Sequence, residues 1–200
     1  MTYDQAFYDA QRDGSYLSAT YMLPDVICDT DSKIVLDIGC GVGTWLLVAK
    51  EQGCSVLGVD GFAEADLLDP EEYEKQDLSN GFDAHGFDLA LCMEVAEHLP
   101  ESSATPLVSS LCKAARYVLF SPAHPGQGGM NHINEQWGSW WEKRFGECGY
   151  VGTSDLKWRY WTNRNINDFY RENVLLFAKP TDLVHAGMSV GVVDVIHPQR

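Results

Sequence analysis

Residues 35–45 read VLDIGCGVGTW, from Val35 to Trp45. A short apolar run over 34–38 stops at three alternate glycines, Gly39, Gly41 and Gly43. A helix-forming run follows over 43–52 and is closed by Gly53. Glycine is demanded where backbone turns tightly and approaches a ligand with no side chain between them. Strand, glycine turn and helix in that order predict the first unit of a parallel sheet, with a ligand seat at the turn. The spacing is not the pyrophosphate-binding G-x-G-x-x-G, because the third glycine comes one place early and position 44 is Thr.

Further strands are predicted outward from this unit at 55–60, 75–78, 87–92, 116–121, 151–157 and 174–179. Helices are expected over 100–115 and 134–148, with one or two more in the first 27 residues. Buried apolar strands alternating with helices predict an α/β fold. Its sheet is doubly wound, of about seven strands, mostly parallel with an antiparallel edge strand, and has helices on both faces. The length of 200 residues, 45% hydrophobic, suits a single domain. Residues 1–30 read as a helical cover, 31–180 as the α/β body, and 181–200 as an extension forming an edge strand or a dimer contact.

The formal charge is −15 and the pI about 4.6, a field that repels phosphate backbones and disfavours nucleic acid as a partner. Six of the 14 Lys and Arg fall between Glu142 and Glu172, so the basic residues are concentrated late. No apolar run approaches the roughly 18 residues needed to span a membrane. The opening MTYDQAFYDAQRDG is polar and acidic, unlike a secretory leader. The six cysteines form no C-x-x-C pair and read as reduced core residues of a cytoplasmic protein, a monomer or homodimer.

The glycine turn with Asp37 ahead of it resembles the S-adenosylmethionine-binding signature of class I methyltransferases, which have a Rossmann-like sheet. The resemblance implies a cofactor seat made by Asp37, Gly39, Cys40, Gly41 and Gly43. Asp60 ends the second strand, where an acid can accept both ribose hydroxyls, with Gly61 beside it. By the same resemblance Asp77 and Leu78 take the adenine, and Glu94 faces the cofactor.

Residues 93–100 read MEVAEHLP. On a helical turn, Glu94, Glu97 and His98 share one face. The segment resembles the EVxEH motif of two methyltransferase families, one acting in ubiquinone synthesis and one on the terminal ribose of small RNAs. In both, the two Glu and the His hold a divalent cation, and the RNA family adds a later His. The resemblance implies Glu94, Glu97, His98 and His132 as ligands of magnesium or manganese. Such an ion would orient an acceptor hydroxyl and lower its pKa. Without a metal, His132 or His98 is the expected general base beside Glu94, with His124 a third candidate.

Residues 121–150, SPAHPGQGGMNHINEQWGSWWEKRFGECGY, resemble a group of small bacterial and phage methyltransferases bearing PGQGG…HxNxQ…YW. FYDAQRDGSYLSA near the start and DFYRENVLLF near the end fit the same group. The resemblance implies O-methylation of a small-molecule or glycan hydroxyl. The Pro-Gly stretch reads as a loop that closes over substrate. Trp137, Trp140 and Trp141 follow helical spacing, which predicts core packing for at least two of them, whereas Trp158, Tyr160 and Trp161 predict an acceptor wall. Methylation of a small amine without metal, ribose methylation of RNA, and a non-catalytic cofactor-binding subunit stand as alternatives.

Overall fold

A computed structural model describes residues 5–63, 65–191 and 193–195, with side chains described from Arg12 onward. Helix α1 (Gln5–Thr30) leads into β1 (Ile34–Ile38), α2 (Thr44–Glu51) and β2 (Ser55–Asp60). Then come β3 (Tyr73–Lys75), β4 (Phe87–Met93), α3 (Ala104–Ala114) and β5 (Ala115–Ser121). The chain continues through α4 (Gly138–Glu147), β6 (Val151–Thr153), α5 (Asp155–Tyr160), α6 (Asp168–Asn173), β7 (Leu175–Ala178) and α7 (Pro180–His185).

The seven strands form one sheet in the order β3-β2-β1-β4-β5-β7-β6. Pairing is parallel from β3 through β5, as the apolar runs predict. β7 runs antiparallel between β5 and β6, so the reversed pairing lies at that edge of the sheet. The winding changes direction between β1 and β4, which opens a crevice over the carboxyl ends of the central strands.

Alternation along the strands divides the core between two faces. Val35, Leu89, Leu91 and Leu119 point to the side covered by α1 and α2. Leu36, Ile38, Ala90 and Phe120 point to the side covered by α3 and α4. In α1, Ala19, Met22, Leu23, Val26 and Ile27 are buried at helical spacing, and this stripe docks the helix on the sheet. Each face therefore contributes apolar burial to a sheet that could not stand alone.

Several boundaries differ from those expected. The first helix is continuous through Pro24. β3 spans Tyr73–Lys75 rather than 75–78: the Gln76 amide makes the last bond to β2, at the Asp60 carbonyl (3.0 Å), and Asp77 then turns the chain by accepting the Ser79 amide at 2.9 Å. Asp77 and Leu78 therefore lie in the loop beyond it. The run 151–157 is a strand only to Thr153, whose hydroxyl accepts the Asp155 amide at 3.1 Å at the start of α5. The helix expected from 134 begins at Gly138, since the Gln136 amide is bound to the Ala123 carbonyl at 3.2 Å.

Pro180 starts α7 instead of ending structure, because a first-turn proline gives up no helical hydrogen bond. The tail that follows forms no edge strand among the described residues. Its Gly191 amide meets the Gly152 carbonyl of β6 at 3.4 Å, and Ser139 of α4 donates its amide to Asp194 at 2.7 Å. Residues 1–4 of the expected cover and 196–200 of the extension lie outside the described residues. Cys40, Cys54 and Cys92 are core residues as expected, whereas Cys28 is exposed on α1.

Candidate active site

A cavity of about 460 Å³ opens over the carboxyl ends of β1, β2 and β4. Its floor is the turn 39–44, and its walls include Arg12 and Ser15 of α1, Tyr170 of α6 and the loop from Gln127 to His132. The expected cofactor residues Asp37, Gly39, Cys40, Gly41, Asp60, Gly61, Asp77, Leu78 and Glu94 all line it. Gly43 stands just behind, in the left-handed conformation at φ 91°, where it starts α2.

The glycines are required sterically. Gly39 has φ 76°, and a Cβ there would meet Val95 Cγ2 at 2.4 Å. A Cβ at Gly58 would meet Cys40 Sγ at 2.7 Å, so the thiol is packed against bare backbone on β2. Burial raises the Cys40 thiol well above its usual range and removes it as a nucleophile.

Asp37 is 2% exposed at the end of β1, and its carboxyl is pushed up to about 8 by burial and by the neighbouring charge of Asp60. Asp60 holds the turns on both sides of it. Its Oδ2 accepts the Gly41 amide at 2.9 Å, while Oδ1 accepts Phe62 at 2.7 Å and Ala63 at 2.9 Å. Asp77 is exposed and accepts the Ser79 amide at 2.9 Å, which holds its carboxyl below the ordinary value. Arg12 is the one Lys or Arg among the described residues that line the cavity.

Glu94 follows β4 in the left-handed conformation at φ 56°, unusual for a side chain and a common form of stored strain at working sites. Its amide is anchored by the Ser121 carbonyl at 2.8 Å. Its Oε1 accepts Ser121 Oγ and, at 2.9 Å, Asn173 Nδ2, and its Oε2 accepts Gln127 Nε2 at 3.2 Å. Burial raises this carboxyl, and the three donors oppose the rise.

Glu97, His98 and His132 offer ligand atoms within 4.8 Å of one another. Glu94 stands outside that group, committed to its three donors. Glu97 is fully buried; no hydrogen bond of good geometry reaches its carboxyl oxygens, although the backbone amides of Glu97 and Ala123 and the Glu94 carboxyl lie close. Burial and the charge of Glu94 push its carboxyl far up. His98 and His132 meet edge to face with ring centroids 4.9 Å apart. Burial, then the neighbouring His132, lowers the His98 pKa. The Glu97 carbonyl accepts the amides of Ile133 at 2.9 Å and Asn134 at 3.1 Å, which ties the His132 segment to the EVxEH turn.

His124 does not join this group. Its Nδ1 lies 3.1 Å from the Pro125 carbonyl, and its ring stacks on Trp137 outside the cavity. The acceptor wall expected from Trp158, Tyr160 and Trp161 is also elsewhere. Tyr160 bonds Asp25 at 3.0 Å, and Arg159 bonds Asp29 at 2.7 Å, so α5 packs on α1. Trp158 stacks near Trp161 and is 56% exposed. Among the other tryptophans Trp141 is fully buried, Trp140 lies under Arg144, and Trp137 is largely exposed.

Sequence reasoning missed Arg12, Ser121, Gln127, Glu135, Tyr170 and Asn173. Glu135 is three places after His132, a spacing that signals a side-chain pair, and their atoms meet at 2.9 Å. Tyr170 bonds Ser15 Oγ at 2.8 Å, and burial pushes its hydroxyl up to about 12. Ser121, Gln127 and Asn173 come from separate segments and carry no local signal.

Residues 5–173 match the family described as "Methyltransferase domain". A ubiquinone biosynthesis O-methyltransferase of Pectobacterium atrosepticum is 34% identical over 101 residues, 44% of this chain and 42% of that protein. The matched stretch thus spans less than half the length of that curated relative. Among solved structures, the SAH-bound magnesium protoporphyrin IX methyltransferase of Synechocystis PCC 6803 is similar at TM-score 0.63 and 19% identity, covering 90% of each chain. The sugar N-methyltransferase KedS8 of Streptoalloteichus sp. is similar at TM-score 0.63 and 12% identity, covering 90% of this chain and 93% of that one.

Proposed function

The chain belongs to the class I S-adenosylmethionine-dependent methyltransferases, and from that premise we propose that it methylates a hydroxyl group on a small molecule or sugar. The observation that carries the reading is the sharing of one cavity by two halves. The glycine turn with Asp37 and Asp60 forms one half, and Glu94, His98 and His132 form the other.

In this reading Gly39 and Gly41 would leave room for an adenosyl group, Asp60 would accept from its ribose, and Asp77 and Leu78 would hold its base. Asp60 still has acceptor capacity after its three backbone bonds, because a carboxylate offers about four lone-pair sites. Arg12, which lines the cavity, would meet the methionyl carboxylate, with which a guanidinium forms a paired hydrogen bond. Asp37 and Glu94 would hold the sulfonium and amino group, whose positive charge would offset the burial of their carboxylates.

Transfer is an in-line displacement in which the acceptor oxygen forms a bond to the methyl carbon as the carbon–sulfur bond breaks. The cofactor leaves as neutral S-adenosylhomocysteine, and the hydroxyl proton passes to a base. His132 Nε2 is that base in the metal-free form of the mechanism, since its Nδ1 side is taken by Glu135. Holding nucleophile and methyl in line supplies much of the acceleration.

A divalent cation fits the chemistry of Glu97, His98 and His132. The buried carboxyl of Glu97 has no well-aligned donor and stands beside two imidazoles, and a divalent cation would favour its carboxylate form and offset the cost of burying it. Such an ion would supply Lewis acidity to an acceptor oxygen. Glu94 is read here as a cofactor-facing and positioning group more than a ligand.

The test is calorimetry with S-adenosylmethionine and S-adenosylhomocysteine, followed by a panel of sugars, phenols and amines scored for S-adenosylhomocysteine release. Turnover confined to hydroxyl acceptors is expected. Turnover confined to amines would replace O-methylation by N-methylation, and no affinity for either nucleoside would overturn the whole reading.

A further inference from the structure

The Glu135 carboxylate sits where the Pro-Gly loop and the imidazole of His132 meet. Oε1 contacts His132 Nδ1 at 2.9 Å and accepts the Gly128 amide at 2.7 Å. Oε2 accepts the Gly126 amide at 2.8 Å. Both loop donors have positive φ, 86° at Gly126 and 70° at Gly128, so glycine lets both amides turn inward to one carboxylate. The next residue, Gly129, packs bare backbone on the same ring, since a Cβ there would lie 2.3 Å from His132 Nε2.

Gln127, between the two donor glycines, sends its side chain the opposite way. It donates to Glu94 Oε2 at 3.2 Å and accepts from Asn173 at 2.8 Å. The loop is latched on both sides, to Glu135 through backbone and to Glu94 through a side chain.

We propose that Glu135 is a positioning residue that makes the setting of His132 conditional on closure of the loop 125–129. An anionic carboxylate accepts hydrogen bonds only, so His132 must present Nδ1–H to it and keep its lone pair on Nε2. Nε2 is the nitrogen on the side of Gly129, at the cavity. When the loop lifts, Glu135 loses two of its three donors and the imidazole loses its backing at Gly129. Loop closure over an acceptor and preparation of the histidine are then one event. The inference rests on the methyltransferase reading only for what the prepared nitrogen acts upon.

The test uses the full chain labelled with 15N-histidine, with the His132 signals identified by their absence in His132→Gln. In the wild type Nδ1 is expected protonated and Nε2 bare. Glu135→Ala should mix the two tautomers and speed amide exchange at Gly126 and Gly128 about tenfold or more, the scale for losing a charge-assisted hydrogen bond. Glu135→Gln, which keeps the shape, should show smaller changes of the same kind and serves if the alanine variant fails to fold. An unchanged tautomer with unchanged exchange in either folded variant would overturn the proposal. S-adenosylhomocysteine calorimetry on the same samples separates the two readings. Affinity near wild type is expected in the variants, and absence of binding in the wild type would remove the cofactor reading while leaving the tautomer result to decide the role of Glu135.

Discussion

The Asp60 carboxylate accepts the Gly41 amide at 2.9 Å, so the acid that closes β2 also holds the turn that leaves β1. With the bonds to Phe62 and Ala63, one side chain sets two loops of the cavity floor. Asp60→Ala should therefore lose cofactor affinity and stability together. Removing a carboxylate from backbone donors costs about 1.5–3 kcal/mol per charged bond, without full additivity. A weakening of S-adenosylhomocysteine binding of about 100-fold is expected by calorimetry, roughly 2.7 kcal/mol. Unaltered binding with a lowered urea midpoint would leave Asp60 a purely structural role.

Asp37 makes stability and binding respond to pH in opposite senses. The unfolded carboxyl ionises near 3.8 and the folded one near 8, so the folded chain holds the extra proton between those values. The Asp37 contribution to stability without ligand is fullest below about pH 4 and is lost as pH rises toward 8. A cationic cofactor favours the carboxylate, so affinity should rise over the same window and binding should release a proton. Asp37→Asn should flatten the stability profile and abolish the release, measured by calorimetry in buffers of different ionisation enthalpy. Equal proton release in the variant would assign the effect to another group.

Gly39 tests the steric demand of the turn. Gly39→Ala meets a left-handed φ and a 2.4 Å approach to Val95. A loss of about 3 kcal/mol is expected, roughly 6–12 °C in Tm at this chain length. Adding Val95→Ala should recover the part due to contact but not the part due to backbone conformation. Failure of the second substitution to recover anything would mean that contact with Val95 is not the source.

The group Glu97, His98 and His132 should take manganese. An ion that binds only the folded state at 100 times its Kd adds about 2.7 kcal/mol. A thermal melt with and without Mn²⁺ should show a rise of several degrees in the wild type and none in Glu97→Gln. The same rise in both would place any bound ion elsewhere.

Arg12→Ala should weaken S-adenosylhomocysteine about tenfold or more, the scale of a charge-assisted hydrogen bond. It should leave 5′-methylthioadenosine, which lacks the amino-acid part, unaffected. Equal losses for the two ligands would assign Arg12 to the adenosyl end or to folding.

Much of this site is written in short stretches of chain. The spacing of Gly39, Gly41 and Gly43 reports a backbone demand, and Asp37, Asp60 and Asp77 report strand ends, all within a few residues of the feature they mark. The parallel strands were legible because burial on both faces leaves continuous apolar runs. Boundaries were less so. The end of β6 at Thr153 and the start of α4 at Gly138 depend on hydrogen bonds to other segments. The aromatic run at 158–161 was misread for the same reason, because its composition says nothing about α5 packing on α1.

The order of residues alone therefore determined the class of sheet, the glycine turn and the acids around it, since each follows from local backbone geometry and the period of burial. Only the tertiary structure decided the rest. It joined Glu94 to Ser121, Gln127 and Asn173, and it brought Glu97, His98 and His132 together. It also put Glu135 between loop and imidazole. Those partners are chosen by how separate segments pack over the strand ends, and the energy of such contacts leaves no pattern along the chain.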